Sequence, residues 1–596
     1  MKNSILKPIF RALAASSLLG VVQAAQTQAF QRSAMEFVDA MGPGINIGNT
    51  FDVPNGDETE WGNPKVTREL IHAYKEKGFQ AVRIPISWRK QFSREDPVHT
   101  IKPAFLERVK EVVDWCMEED LVTIINIHHD GGDDGWPGAW LTIDGKHEEQ
   151  AGEILKHLWT QIANTFRSYD ERLIFEAFNE VRKAKRYAGV SGKQANQEDW
   201  GGQQAYFDVV NRYGRIFYDA VRATGGNNAK RYLMIPTYAA GFQPHTIRAW
   251  KTPNANDNHI IATIHCYEPG DFCLWGNRKA HDPAYAKQCL DRYFPVMKEH
   301  FIDKGIPLIL GEVNATLRYY DAERLLPNHD ARVRWVWQYV NEARKNRFAV
   351  VFWETGAGGM GEIDRRTCKW IHPSIIEAFI GAHKGTMTKE DAEKLAQSVK
   401  VSATAVYSKT DDVLRWKIGS DSYAKCWGQT MGFGNLNGNG VNSRYLSSDE
   451  NGNLYVHAKG LGGNMLHQQF WADQSITAKR TFKAYVMKHE ATPLAGRKLV
   501  FSLKALNGTT ANVKGFLRIP GVKDQVHFGA DIGQDGAFVA TPENPVVTVE
   551  IPLPAKTDAV WRENLSGGIS AELQFFPGKW NEGKKLDCVM SPIRLK

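Results

Sequence analysis

Cysteine is scarce in this chain, seven in 596 residues. None sits in C-x-x-C spacing, so a structural zinc site is not indicated. The odd count leaves at least one thiol unpaired. By segment, Cys266 with Cys273 and Cys426 with Cys588 are the pairs to expect, although sequence cannot fix connectivity. Cys116 falls in a helical pattern and reads as a buried free thiol. No run of five or more Lys or Arg occurs, and a net charge of +7 is weak over this length, so no nucleic-acid partner is expected. No stretch is apolar for the ~20 residues a membrane-spanning helix needs. A Pro/Thr/Ser-rich linker and internal repeats are also lacking.

The N-terminus carries Lys2, Lys7 and Arg11, then the apolar stretch 12–22, then Ala24 and Ala25. That order reads as a signal peptide over residues 1–25, with a retained anchor as the alternative. It predicts a protein secreted to the extracellular space or periplasm, where disulfides can form.

From residue 30 to 385, short apolar runs alternate with amphipathic ones. The runs are 44–48, 81–86, 122–127, 173–178, 232–235, 260–264, 307–310 and 349–352. Helical patterns such as 67–77, 103–119, 148–167, 203–223 and 331–345 lie between most of them. Eight buried strands alternating with helices predict an α/β fold, a (β/α)8 TIM barrel. A doubly wound open sheet is the rival, but no Gly-rich phosphate fingerprint follows the first strand. A polar helix, 388–399, lies in a connector over 386–400. Beyond it, short alternating runs broken by Gly, Asn and Asp predict an all-β sandwich over 401–596, jelly-roll-like. Those runs are 423–427, 454–458, 480–487, 499–503, 515–519, 546–551 and 571–575.

In such a barrel, functional groups gather where strands end and βα loops begin. Strand four ends in Asn179-Glu180 and strand seven in Gly311-Glu312. Strand three ends in His128-His129-Asp130, strand six in His265-Cys266-Tyr267-Glu268, and strand eight in Trp353-Glu354. Strand two carries Arg83 beside Trp88. Acids are seldom buried unpaired, so Glu180 and Glu312 are candidates for the carboxylate pair that glycoside hydrolysis needs. Structural salt bridges are the bland alternative for each acid taken singly. One His from each of strands three and six plus an acid could instead hold a catalytic metal, and His129 could be a core histidine bonded to backbone. The 18 Trp exceed what cores usually need, and flat aromatic faces suit sugar rings.

Several segments together resemble glycoside hydrolase family 5. They are 44–52 (GINIGNTFD), 58–64 (ETEWGNP), 82–88 (VRIPISW), 126–129 (NIHH), 178–180 (FNE), 265–267 (HCY), Gly311-Glu312 and Trp353. They appear in order at strand ends and cover roughly residues 35–380. The resemblance implies a retaining hydrolase with Glu180 as general acid/base and Glu312 as nucleophile, without metal or organic cofactor. By the same resemblance Asn179 bonds the sugar 2-hydroxyl, Arg83 favours the charged form of Glu312, and Tyr267 orients that glutamate. His128 and His265 bind the sugar or steer the acid, and Trp353 is a platform beneath it. His129, Asn49, Trp61 and Trp136 complete the expected substrate-binding set. Trp88 and Trp275 are further candidate platforms, and the long insert 131–145, with Trp136 and Trp140, builds subsites on loop three.

The GNTFD and WGNP segments are most like the endo-β-1,4-glucanases of the family, so an endo-acting β-1,4-glucanase cleaving a neutral β-glucan is expected. Cellulose, mixed-linkage glucan and xyloglucan lead as substrates, with mannan or xylan as runners-up, because family fixes chemistry better than sugar. A non-catalytic glycan-binding protein is a remote alternative, since both acids are present. The C-terminal domain, with Tyr423, Trp427, Trp471, Trp561 and Trp580, reads as either a carbohydrate-binding module or a structural β-domain. The polysaccharide is the only partner expected, for a chain acting as a monomer.

Overall fold

A computed structural model describes residues 30–131, 139–186, 196–274, 278–321, 326–356 and 360–407. Further on it describes segments 412–418, 443–448, 453–459, 466–472, 482–486, 492–519, 522–523, 526–529, 539–556, 560–561, 569–576 and 585–596. The expected leader, Trp136, Trp275, Tyr423, Cys426, Trp427 and Trp580 lie outside the described residues, as do the side chains of Trp471 and Trp561.

Eight strands form a closed parallel barrel. They are β1 (Gly44–Asn46), β2 (Ala81–Ile84), β3 (Val122–Asn126), β4 (Leu173–Glu176), β5 (Leu233–Pro236), β6 (Ile260–His265), β7 (Leu308–Val313) and β8 (Phe348–Phe352). Each pairs with its neighbours in chain order, and β8 closes on β1. The helices between them start and stop on local signals. Thr67 caps Arg68–Lys77 by accepting the Leu70 N–H, and Gly78 ends that helix at φ 110°, a conformation glycine adopts without strain. Pro103–Glu118 and Pro283–His300 both open on proline, whose missing N–H costs nothing in a first turn.

Strand alternation sorts the side chains into two sets. Ile45, Val82, Ile84, Ile125, Phe175, Ile264, Leu308, Leu310, Val350 and Phe352 face the helices in the large core. Ala81, Ile124, Ile174, Met234, Ile261, Ile309 and Val351 face inward and fill the lower barrel. A short helix that the sequence reading missed, Ala34–Ala40, stoppers this end with Phe37 and Val38. Above the apolar layers, the inward positions turn polar: Asn46, Arg83, Asn126, Glu176 and His265.

The polar helix after the barrel runs from Lys389 to Tyr407, longer than expected. It is no free connector. Ala396 enters the same core as the barrel, Arg334 pairs with Glu393, and Trp337 Nε1 donates to Met387 O at 3.0 Å.

The C-terminal part is all-β and mostly antiparallel, with its own core of Leu454, Leu499, Phe501, Leu503, Val549, Leu573 and Phe575. Val546–Pro552 alternates strictly between exposed and buried. Strands Asp412–Ile418, Ser443–Ser448, Leu466–Ala472 and Lys585–Met590 went unforeseen, because their charged and polar residues mask the period-two signal.

The expected Cys266–Cys273 disulfide does not form, and both residues are buried free thiols. Cys588 is also a buried free thiol, while its expected partner Cys426 lies outside the described residues. Cys116 is a buried thiol, as expected.

Candidate active site

A glycine bulge aims Glu312. By simple alternation, Leu308 and Leu310 face the helices, so residue 312 would face them too. The ladder with β6 shifts after Ile264–Leu310, and His265 then pairs with Glu312. The ladder with β8 shifts at the same place. The extra residue is Gly311, and its insertion turns Glu312 inward beside His265. A Cβ on Gly311 would lie 2.9 Å from Thr263 Oγ1 and 3.1 Å from His265 Nε2, so glycine lets the strands close here.

Arg83 is the buried hub. Its Nε and Nη2 donate to the two oxygens of Glu176 at 2.7 and 3.1 Å. Nη1 donates to Asn46 Oδ1 and Glu312 Oε1, and Nη2 to Asn179 Oδ1, each at 2.9 Å. The Glu312 carboxylate also accepts from Tyr267 Oη at 3.0 Å and lies 3.9 Å from His128 Nε2. His265 Nδ1 stands between the two acids, 2.8 Å from Glu180 Oε1 and 3.6 Å from Glu312 Oε2. One oxygen of Glu180, one of Glu312 and a His265 nitrogen all lie within 4.8 Å of one another.

Burial dominates the electrostatics. It pushes the Glu312 carboxyl above its usual range, and the Glu180 charge adds to this, although His265 and Arg83 pull the other way. Arg83 therefore favours the charged form without outweighing burial. Two of its five hydrogen bonds go to Glu176 and one to Glu312. Burial also drops His265 to about 4, His129 to about 3 and His128 well below its usual value.

Among the described residues, two clusters have donor atoms close enough for a cation: Glu180 with His265 and Glu312, and Asp52 with His128 and His129. Neither donor set suits one. Arg83 already places a positive charge 2.9 Å from Glu312 Oε1. Asp52 is turned to its own loop, accepting the Asn49 and Thr50 N–H groups.

Of the expected platforms, Trp353 is half-buried and lies nearly parallel to His128, 5° between planes and 6.0 Å between centroids. Trp61 is half-buried against His129, itself in edge contact with His128. Asn49 shapes the adjoining turn at φ 59°, and its carbonyl accepts from Asn63. Two other tryptophans are not platforms. Trp88 is fully buried, donating to Asn126 O and packing edge-on against Phe105. Trp140 is buried against Phe92 and donates to Asp130 Oδ1, stapling its loop.

Three of the strand-end acids do not reach the mouth. Asp130 accepts from the Trp88 N–H and from Trp140. Glu268 accepts from the Gly270 N–H. Glu354 is buried in an ion pair with Arg365. Glu176 was not expected from the sequence, and Asn46 and Asn126 lie in the resembling segments without an assigned role. Each sits at the inward-facing end of an apolar run, and inward polarity in such a run was the available signal. Arg182 and Trp200, beside Glu180, had no such signal.

A barrel with two close glutamates at the ends of β4 and β7, ringed by Arg, His, Tyr and Trp, defines a glycoside hydrolase of the TIM-barrel class. Within that class the chain belongs to glycosyl hydrolase family 5: the Cellulase (glycosyl hydrolase family 5) profile matches residues 39–359. It is similar to endoglucanase A of Clostridium longisporum, with 33% identity over 419 residues, 64% of this chain and 73% of that protein. Among solved structures, it is similar to a broad-specificity endoglucanase from Ruminococcus champanellensis with bound cellotriose. That match has a TM-score of 0.52 and 32% identity, covering 59% of this chain and 99% of the other. A xyloglucan-specific endo-β-1,4-glucanase from a metagenomic library, in complex with cellotriose, gives a TM-score of 0.51 and 31% identity, covering 58% and 98%.

Proposed function

We propose that this chain is an endo-acting β-1,4-glucanase that works with retention of configuration, using Glu312 as nucleophile and Glu180 as general acid/base. The observation that carries this reading is the pair of carboxylates with oxygens within 4.8 Å across His265. Retaining hydrolases hold their carboxyl groups ~5–5.5 Å apart, too close to admit the water of an inverting reaction. In the first step, ionised Glu312 attacks the anomeric carbon while Glu180 protonates the leaving oxygen. The glycosyl ester removes the charge on Glu312, and Glu180 then acts as the base that activates water. Tyr267 and Arg83 hold the Glu312 oxygens, so the attacking one is set before substrate arrives. Arg83 takes the Oδ1 of Asn179, which leaves the amide NH2 for a sugar hydroxyl.

β-1,4-Glucan is favoured as substrate because the similar proteins are endoglucanases and two similar structures hold cellotriose. Xyloglucan is the second reading, since one of those structures is specific for it. Glu180→Gln should cut turnover about 10²–10⁴-fold while glycan binding persists. The panel is a reducing-sugar assay on β-glucans, xyloglucan, mannan and xylan, with proton NMR of the first product. Near-normal turnover in either Gln variant, or a first-formed α-anomer, overturns the assignment.

Two further readings belong to the same proposal. Residues 1–25 direct secretion, tested by N-terminal sequencing of protein from the medium. The C-terminal β-domain binds glycan, tested by retention on insoluble cellulose after truncation beyond Tyr407, since the helix ending there packs on the barrel. Unchanged retention would refute the second.

A further inference from the structure

We propose that Thr263 is a positioning residue for the acid/base. Through one bridging water its hydroxyl completes the hydrogen bonding of His265 Nε2, and so helps Glu180 keep its proton. The inference rests on Glu180 being the general acid/base.

Strand β6 turns Ile261, Thr263 and His265 into the barrel in succession. Ile261 belongs to the apolar layer, and His265 reaches the two acids. Thr263 lies between them, fully buried. A valine would fill the same space, so packing does not call for a hydroxyl here. Buried polar atoms are nearly always hydrogen-bonded, yet Thr263 Oγ1 and His265 Nε2 both lack a protein partner. The two atoms face one spot over Gly311. A Cβ on that glycine would lie 2.9 Å from the first and 3.1 Å from the second. Glycine keeps that space clear of side chain, and a buried water bridges polar atoms in such a setting.

The other ring nitrogen, His265 Nδ1, lies 2.8 Å from Glu180 Oε1. Burial lowers the ring to about 4, so above that pH it carries one N–H. When Glu180 is ionised, Nδ1–H donates to it and Nε2 is an acceptor. When Glu180 is protonated, its O–H donates to Nδ1, and the ring hydrogen sits on Nε2 as a donor. One proton, exchanged with solvent, separates these states. A hydroxyl and a water each donate and accept, so Thr263 can serve both. Buried N–H groups are left unpaired more rarely than buried acceptors. Loss of the hydroxyl therefore penalises the protonated state of Glu180 more than the ionised one. The charged and titratable groups around this pair are Glu312, Arg83, Glu176, Tyr267, His128 and Arg182. None of them hydrogen-bonds Nε2.

Thr263→Val removes the hydroxyl and nearly keeps the shape. The basic limb of the kcat/KM profile reports the proton on the acid. In Thr263→Val that limb should move to lower pH by roughly 0.5–1 pH unit, the equivalent of one neutral hydrogen bond. Thr263→Ala should move it the same way, and Thr263→Ser should restore the parent profile. A merely structural role would lower kcat/KM alike at every pH and leave the limb in place. A limb that stays or moves up in the Val and Ala variants, or a Ser variant that shares their shift, overturns the proposal. Failure of the underlying reading is separately visible, because Glu180→Gln would then keep both its turnover and its basic limb.

Discussion

Two buried arginine–glutamate clusters lie close together near the ends of the barrel strands, and they are finished differently. Around Arg365, the Glu354 carboxylate accepts from the Arg365 Nε and Nη2, the Gly356 and Glu362 N–H groups and Tyr74 Oη. Arg365 also donates to the carbonyls of Gly48 and Glu354. Around Arg83, fully buried Glu176 accepts two hydrogen bonds, both from the guanidinium. Glu312, however, receives one from Arg83 and one from Tyr267 and keeps 7% of its side chain open to the mouth. A buried charge is tolerable when its hydrogen bonding is complete. The complete cluster fixes the loop that carries Trp353. The incomplete one leaves a carboxylate with capacity to spare, and that capacity is what a nucleophile needs.

The largest effect should separate the clusters by type of loss. Glu312→Gln should lower kcat roughly 10⁴-fold or more, because a nucleophile has no substitute within the site. Its thermal midpoint should change little. Glu354→Ala should do the reverse, costing about 3–5 kcal/mol of stability by stranding Arg365. Thermal unfolding beside active-site titration would measure both. A Glu354→Ala protein with normal stability would break the comparison.

A smaller effect should show how Arg83 is shared. Burial holds the Glu312 carboxyl above its usual range, so kcat/KM must fall as pH drops through that raised value. Glu176→Gln removes the competing carboxylate and leaves Arg83 with more charge to offer Glu312. The Glu312 pKa should then fall, moving the acid limb of the pH profile to lower pH. A limb that stays, or moves up, would show that Arg83 does not divide its charge between the two acids.

Both clusters bear on what was legible beforehand. The eight strands were readable because their apolar runs are continuous and bounded. Glu180 and Glu312 were readable because acids rarely end such runs. Direction was not readable. Phe352 faces the helices, and Glu354, two residues on, turns the same way toward Tyr74 and Arg365, so it leaves the mouth. Glu176 looked like part of the run although its position faces inward. Trp88 and Trp140 were read as platforms because composition counts tryptophans without their exposure. Arg365 lies 11 residues from its partner across a loop, a spacing with no local signature.

The same chemistry at the surface should give the smallest effect. Arg334 meets Glu393 through Nε and Nη2 at 2.7 and 2.8 Å and also pairs with Asp330, fastening helix Lys389–Tyr407 to helix His329–Lys345. The pairing lowers the Glu393 carboxyl to about 2. A depressed carboxyl contributes stability above its unfolded value, near 4.5, and loses it as pH falls toward 2. Glu393 is half exposed, so solvent screens the pair and its worth is about 0.2–1 kcal/mol. Glu393→Ala should therefore lower the thermal midpoint only slightly at pH 7. The difference from the parent should shrink in high salt and vanish near pH 2. A loss as large as that for Glu354→Ala would mean that the helix is held by this ion pair. The geometry instead assigns most of the docking to Ala392, Leu395 and Ala396, which a surface charge does not reach.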